Sequence, residues 1–144
     1  MTAKEFFNSV LDIDILISNK LEQKERIKAL ITRVTPTMHE ETSGGSIDNH
    51  KLENGVEKLM RLEAEIDRYV DELVDREELA RKIISSLENN RHKIVLEDRY
   101  LLRKTFEKIA TELGCSYQNV CKIHGYALSK ADKILKRMEL VDKS

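Results

Sequence analysis

Residues 105–134, TFEKIATELGCSYQNVCKIHGYALSKADKI, read as helix, tight turn, helix. Thr105 can cap a first helix whose apolar positions are Phe106, Ile109, Ala110 and Leu113. Gly114 supplies the left-handed backbone that ends it. Two residues later Ser116 can cap a second helix, with Val120, Ile123, Ala127, Leu128 and Ala131 on its inner side. Small Ala110 opposite Val120 and Ile123 lets two short helices cross closely and steeply, as a helix-turn-helix requires. The agreement of Ala110, Gly114, Val120 and Ile123 at fixed offsets gives the reading its weight.

Composition supports long solvated helices around this motif. The 144 residues are 40% hydrophobic, 35% charged and only 5% aromatic, with one Pro and no Trp. That is enough for one modest core, or a small domain with an extension. No apolar run approaches the ~20 residues of a membrane span, and the N-terminus lacks a charged–apolar–small signal pattern, so the expected compartment is the cytoplasm. The net charge of −1 hides an asymmetry. Residues 91–144 hold 12 Lys/Arg against 7 Asp/Glu, a net of +5, whereas residues 1–90 hold 13 against 19, a net of −6. A basic C-terminal third fits a polyanionic partner.

Working back from the motif, Asn89-Asn90 is the natural junction, and His92 to Leu102 reads as a short helix. Its Val95, Leu96, Tyr100 and Leu101 are available to pack on the helix-turn-helix. At the other end of the chain, Thr2 and Glu5 form a T-x-x-E capping box. Phe6, Val10, Ile13, Ile17, Ile27, Ile31 and Val34 then follow an alternating 4–3 spacing, interrupted by Lys20 and Lys24. Thr35-Pro36 should end that helix, and the polar stretch 35–47 with Gly44-Gly45 reads as a flexible connection. Asp48 can cap a second long helix whose seam runs Leu52, Val56, Leu59, Ile66, Val70, Leu73, Ala80, Ile84 and Leu87, with Glu63 and Glu77 on seam positions. Gly55 weakens its first turns by ~1 kcal/mol relative to alanine. Two heptad helices joined by a dozen residues most simply fold back on each other; pairing with a second chain is the rival. The expected fold is therefore all-α: a long N-terminal antiparallel helical hairpin (coiled coil) over 1–90, then a small helix-turn-helix domain over 91–144.

Catalytic and metal chemistry find little support. There is no nucleophile elbow, no ligand-spaced cluster and no Gly-rich loop opening a helix, so neither an enzyme nor a cofactor is expected. Cys115 and Cys121 sit six apart, where a disulfide would distort the helix, and a zinc site would need two further ligands. His39, Glu40 and Glu41 read as a solvated loop. The interleaved Glu63, Glu65, Asp67, Asp71, Glu72 and Arg61, Arg68, Arg76 read as a solvated helix face.

The stretch 94–135, IVLEDRYLLRKTFEKIATELGCSYQNVCKIHGYALSKADKIL, resembles region 4 of the bacterial sigma-70 group. The shared features are the leading L-x-x-R-Y-L, the I-A-x-x-L-G core, Ser116 and Val120 after the turn, and Ala127-Leu128. The whole chain is similar to small phage and prophage proteins of Gram-positive bacteria, the ArpU- and RinA-like late transcriptional regulators, on the weaker grounds of capping, heptads and Glu65–Leu73. There are two departures from the pattern. Lys108 replaces the acid that would complete a capping box with Thr105. Tyr117, Gln118 and Asn119 stand where charged residues usually open the second helix. The docking mode can therefore carry over while the base preference does not.

Tyr117, Gln118, Cys121 and Lys122 lie away from Val120 and Ile123 on a helix starting at Ser116, and the resemblance implies that they face DNA. Gln118 can pair with adenine, and Lys122 can reach guanine or a phosphate. Tyr126 lies near the position of a backbone contact. Arg103, Lys104 and Lys108 surround the start of the first helix and suit phosphate contacts. His124 is either a phosphate contact or an exposed histidine with no role. The resemblance implies a phage-type transcriptional regulator binding double-stranded DNA in a bacterial host cell, with RNA polymerase and a second copy of the chain as further candidate partners. The alternative is an oligomeric packaging adaptor resembling a small terminase subunit.

Overall fold

This computed structural model describes residues 1–34 and 49–143. The connection expected at 35–47, the Asp48 cap, and His39, Glu40, Glu41 and Gly44-Gly45 lie outside the described residues. The fold is all-α, and no strand occurs among the described residues. Helix α1 spans Ala3–Val34, α2 Asn49–Ser85, α3 Asn90–Leu96, α4 Phe106–Leu113 and α5 Tyr117–Lys143; a π-helical turn, Glu97–Leu101, prolongs α3. The capping box forms: Glu5 donates its N–H to Thr2 Oγ1 at 3.1 Å, and Thr2 donates its own to Glu5 Oε2 at 3.2 Å. Asn89 Oδ1 accepts from the Arg91 and His92 amides at 2.9 and 3.3 Å, which starts α3 at the predicted junction.

The chain divides into two compact units, Asp14–Glu72 and the combination of Met1–Ile13 with Leu73–Ser144. Within Asp14–Glu72, α1 and α2 run antiparallel, since Lys20 pairs with Glu65 at 3.0 Å and Lys24 with Glu63 at 3.3 Å. A Cβ on Gly55 would meet Ile31 Cγ1 at 3.0 Å, further along in the same opposed sense. The two lysines that interrupt the α1 seam are thus half-buried seam residues matched by carboxylates across the pair.

The seam of α2 differs from expectation at alternate positions. Val56 and Val70 are exposed, whereas Leu62 and Ile83 are buried; Ile66 and Ile84 are buried as expected. The positions turned inward include Leu52, Gly55, Leu59, Leu62, Ile66, Tyr69, Leu73, Arg76, Ala80 and Ile83, a 3–4 alternation that Ile84 joins at its end. Glu63 and Glu77 fall one residue off it, the first reaching Lys24 and the second Arg81. A pattern built only from aliphatic residues skipped the glycine, tyrosine and arginine that complete this heptad.

In the other unit, both ends of the long helices join the C-terminal helices in one core. Ala3, Phe6, Phe7 and Val10 of α1, Ala80, Ile83 and Ile84 of α2, and Leu87 just beyond it pack with Leu96, Tyr100, Ala127, Ala131, Ile134 and Leu135. Phe7, Val10, Ile83 and Leu96 are fully buried. Asp132 Oδ1 accepts the Ala3 N–H at 2.9 Å, so α5 supplies a cap to the first residue of α1. The carboxyl of Asp132 is held below its ordinary pKa, first by that backbone bond and then by Lys136 at 3.2 Å.

Candidate nucleic-acid interface

Helices α4 and α5 close around a small core of Val95, Ile109, Ala110 and Val120, flanked by Phe106, Leu113, Cys115 and Ile123. Thr105 Oγ1 accepts the Lys108 amide at 3.2 Å and starts α4. Gly114 ends it at φ 67°, a left-handed conformation that costs a side-chain-bearing residue about 1 kcal/mol or more. The Gly114 amide donates to the carbonyls of Ala110 and Thr111, and that of Cys115 to Ala110 at 3.0 Å. Ser116 Oγ then accepts the Asn119 amide at 3.1 Å. These local bonds hold the turn and fix the start of α5 relative to α4. Ala110 is small enough to sit beneath Val120, as the sequence implies.

With Val120 facing inward, Tyr117, Gln118 and Lys122 at the start of α5 are exposed, and Cys121 is half-buried beside Tyr117. The Tyr117 phenol is pushed above its ordinary pKa, first by a hydrogen bond with the Cys121 thiol. Its ring meets Phe106 edge-on, with centroids 6.3 Å apart. Tyr126 stands well out at 65% exposure, two turns along the same helix. Both cysteines are free thiols.

The basic residues before α4 are held differently from one another. The π turn closes with the Leu102 amide donating to Glu97 O at 3.0 Å, and the Lys104 amide returns to Asp98 O at 2.9 Å. Between them Arg103 adopts φ 56°, unusual for a residue with a side chain. It is exposed, as is Lys108 on the outer face of α4. Lys104 is only half-exposed. Its ammonium lies 2.9 Å from Glu112 and 3.4 Å from Asp98, which raises its pKa and lowers that of Glu112. Much of its charge is therefore answered within the protein.

His124 departs from expectation. It is half-buried, shares a 2.7 Å hydrogen bond between Nε2 and the Tyr100 hydroxyl, and meets Phe106 edge-on at 5.0 Å. Tyr100 meets Phe7 in turn, with tilted rings 5.1 Å apart, and Arg99 lies over the Phe106 ring at 4.8 Å while donating to Lys104 O. The chain has seven Phe and Tyr residues, and five of them, Phe6, Phe7, Tyr100, Phe106 and Tyr117, join His124 in one run of ring contacts. That run lies behind the start of α5, where Tyr117 joins it. Its members are too scattered in sequence for any periodicity to connect them.

Helices α3, α4 and the first half of α5, with the turn between them, lie in one matched stretch. Residues 84–130 match the family described as sigma-70, region 4. No curated protein and no solved structure matches the chain. The sigma-70 region 4-like stretch is a DNA-binding helix-turn-helix of a regulatory, non-catalytic kind, and it contains Tyr117, Gln118, Cys121, Lys122 and Tyr126 as well as Arg103, Lys104 and Lys108. Among the described residues, no helix is long and apolar enough to cross a membrane.

Proposed function

We propose that the chain is a phage-type transcriptional regulator, similar to the ArpU- and RinA-like proteins, that reads duplex DNA in the cytoplasm of a bacterial host. Residues 91–144 do the reading and residues 1–90 form the accessory helical region, with RNA polymerase as its second partner. What carries this is the start of α5: Tyr117, Gln118 and Lys122 are exposed side by side on a helix whose placement is fixed by Gly114 and Ser116. A helix fits the major groove, and its first turns meet base edges. Gln118 reads adenine, Lys122 takes guanine or a phosphate, and Tyr117 and Tyr126 meet the backbone or a thymine methyl. Arg103, Lys104 and Lys108 bring positive charge to the approach of α4, with Lys104 the weakest contributor because of its two carboxylate neighbours.

Selection of bound sequences from random duplex DNA tests this reading. Gln118→Ala with Lys122→Ala should weaken binding to the selected site by about tenfold or more and flatten the preference. Absence of any binding by the unaltered chain at low salt would overturn the proposal. A second reading, an oligomeric packaging adaptor resembling a small terminase subunit, is favoured by one observation. Val56, Met60 and Val70 are exposed apolar residues on one side of α2. Light scattering separates the two: a ring-sized oligomer supports the adaptor, a monomer or dimer the regulator.

A further inference from the structure

Helix α5 runs for 27 residues, far beyond the two turns that carry the reading face. Its solvent side is not uniform. Lys122, Tyr126, Lys130, Lys133 and Arg137 are all exposed and follow one another at spacings of four, four, three and four, which places them on one flank of the helix. From Lys122 to Arg137 that flank is ~22 Å long at 1.5 Å per residue.

The last three cations differ from their neighbours in two respects. Lys136 is tied to Asp132, and Lys104 to Asp98 and Glu112. Lys130, Lys133 and Arg137 have no carboxylate within ion-pair distance among the described residues. They also form one wall of a half-open cleft of about 360 Å³, whose other side is the turn Ser86–Asn89 together with His92. Glu88 is the one acidic residue lining it. Three unpaired cations on one wall of a concave surface make a site for closely spaced negative charges. Lys133 and Arg137 lie beyond the matched residues 84–130, so the region 4 likeness does not account for them.

We infer that this flank is a second DNA-contact surface, in which Lys130, Lys133 and Arg137 bind phosphates of the duplex adjoining the site read by Gln118 and Lys122. The occupant follows from continuity and charge: the flank begins at Lys122, on the reading face itself, and remains positive along the same rigid helix. A recognition helix lying along the major groove carries its later turns past the sugar-phosphate wall, where cations contact backbone without reading sequence. The inference rests on the DNA-binding reading proposed above. It adds the expectation that the chain covers more duplex than its reading face alone would protect.

The test uses the full chain and a mixed-sequence duplex of about 40 base pairs, because phosphate binding needs no particular operator. Binding is measured against salt for the unaltered chain, for Lys130→Gln/Lys133→Gln/Arg137→Gln, and for Lys136→Gln. Each phosphate contact contributes about 0.9 to the slope of log K against log salt, so the triple variant should lower that slope by about 2–3 and weaken low-salt binding at least about tenfold. Lys136→Gln, on another side of α5 and already paired, should leave the slope nearly unchanged. Hydroxyl-radical footprints on a selected site should shorten on one side in the triple variant. If the unaltered chain binds and the triple variant retains its slope and footprint, the inference fails while the reading face stands, and the cleft belongs to an acidic protein segment instead. A loss from Lys136→Gln of about a third of the triple variant's or more would also overturn it, since net charge alone would then explain the effect. No binding by the unaltered chain would overturn both proposals.

Discussion

Gly114 and His124 show how single residues hold the interface from opposite sides. Gly114 permits the φ of 67° that lets α4 stop and α5 begin within three residues. His124 lies between Tyr100 and Phe106, at the start of α4 rather than its end. Burial lowers its pKa, and the nearby Arg99 and Lys4 lower it further, so the folded chain favours the neutral imidazole. The unfolded chain therefore takes up the proton first as pH falls. Stability should be full above about pH 6.5, the ordinary histidine value, and should decline as pH drops from there toward the depressed folded-state value. Urea unfolding between pH 7.5 and about 5 should show this slope, and His124→Gln should reduce it. An unchanged slope in that variant would assign the dependence to other groups. The role of Gly114 was legible because a helix stop leaves a local signature. That of His124 was not, since its partners lie 24 and 18 positions away in sequence.

At the level of elements, the hairpin shows how a correct fold can be reached through an imperfect seam. Aliphatic residues alone gave the right helix and the right period. They misplaced Val56, Glu63, Val70 and Glu77 by one residue, because Gly55, Tyr69 and Arg76 did not look like core and Leu62 was passed over, whereas Ile84 is buried as expected. Gly55 has a specific reason to be there: an added Cβ would lie 3.0 Å from Ile31 Cγ1, which is tighter than ordinary contact. Gly55→Ala should therefore gain less than the ~1 kcal/mol that helix propensity offers. In an Ile31→Ala background the same substitution should recover most of that amount, which a double-mutant cycle of thermal unfolding would read. Equal gains in both backgrounds would mean that the two residues do not touch.

At the scale of the chain, the N-terminus and the sigma-70 region 4-like stretch share a core. Phe6, Phe7 and Val10 are packed with Leu96, Tyr100 and Ala127, although about 90 to 120 positions of sequence separate them. Phe7→Ala should cost about 3–5 kcal/mol, the usual loss for a buried aromatic, and residues 84–144 alone should fail to unfold cooperatively. Cooperative melting of that fragment, with near-ultraviolet dichroism like that of the full chain, would show that the long helices are dispensable. Asp132 adds a second tie through the Ala3 amide. Its carboxyl is depressed, so its contribution is present above the ordinary aspartate pKa of about 4 and is lost as pH falls through the lower folded-state value. Asp132→Ala should accordingly lower the urea midpoint at pH 7 and make little difference at about pH 2–3.

Local chemistry, by itself, determined the helices, their caps, the turn at Gly114 and the exposed positions at the start of α5, whereas the ion pairs of Lys20 and Lys24 decide that α1 and α2 pair with each other. The local features depend on residues a few positions apart, where a cap, a left-handed glycine or an apolar repeat leaves its mark directly in sequence. Tertiary structure alone decided that Phe7 lies behind Tyr100, that His124 is an interior residue, that Lys104 is answered by two carboxylates, and that Lys130, Lys133 and Arg137 wall a cleft. The physical reason is that burial and charge pairing are set by what folds against a side chain. A helix announces which residues share its face, but its sequence does not state what that face will meet.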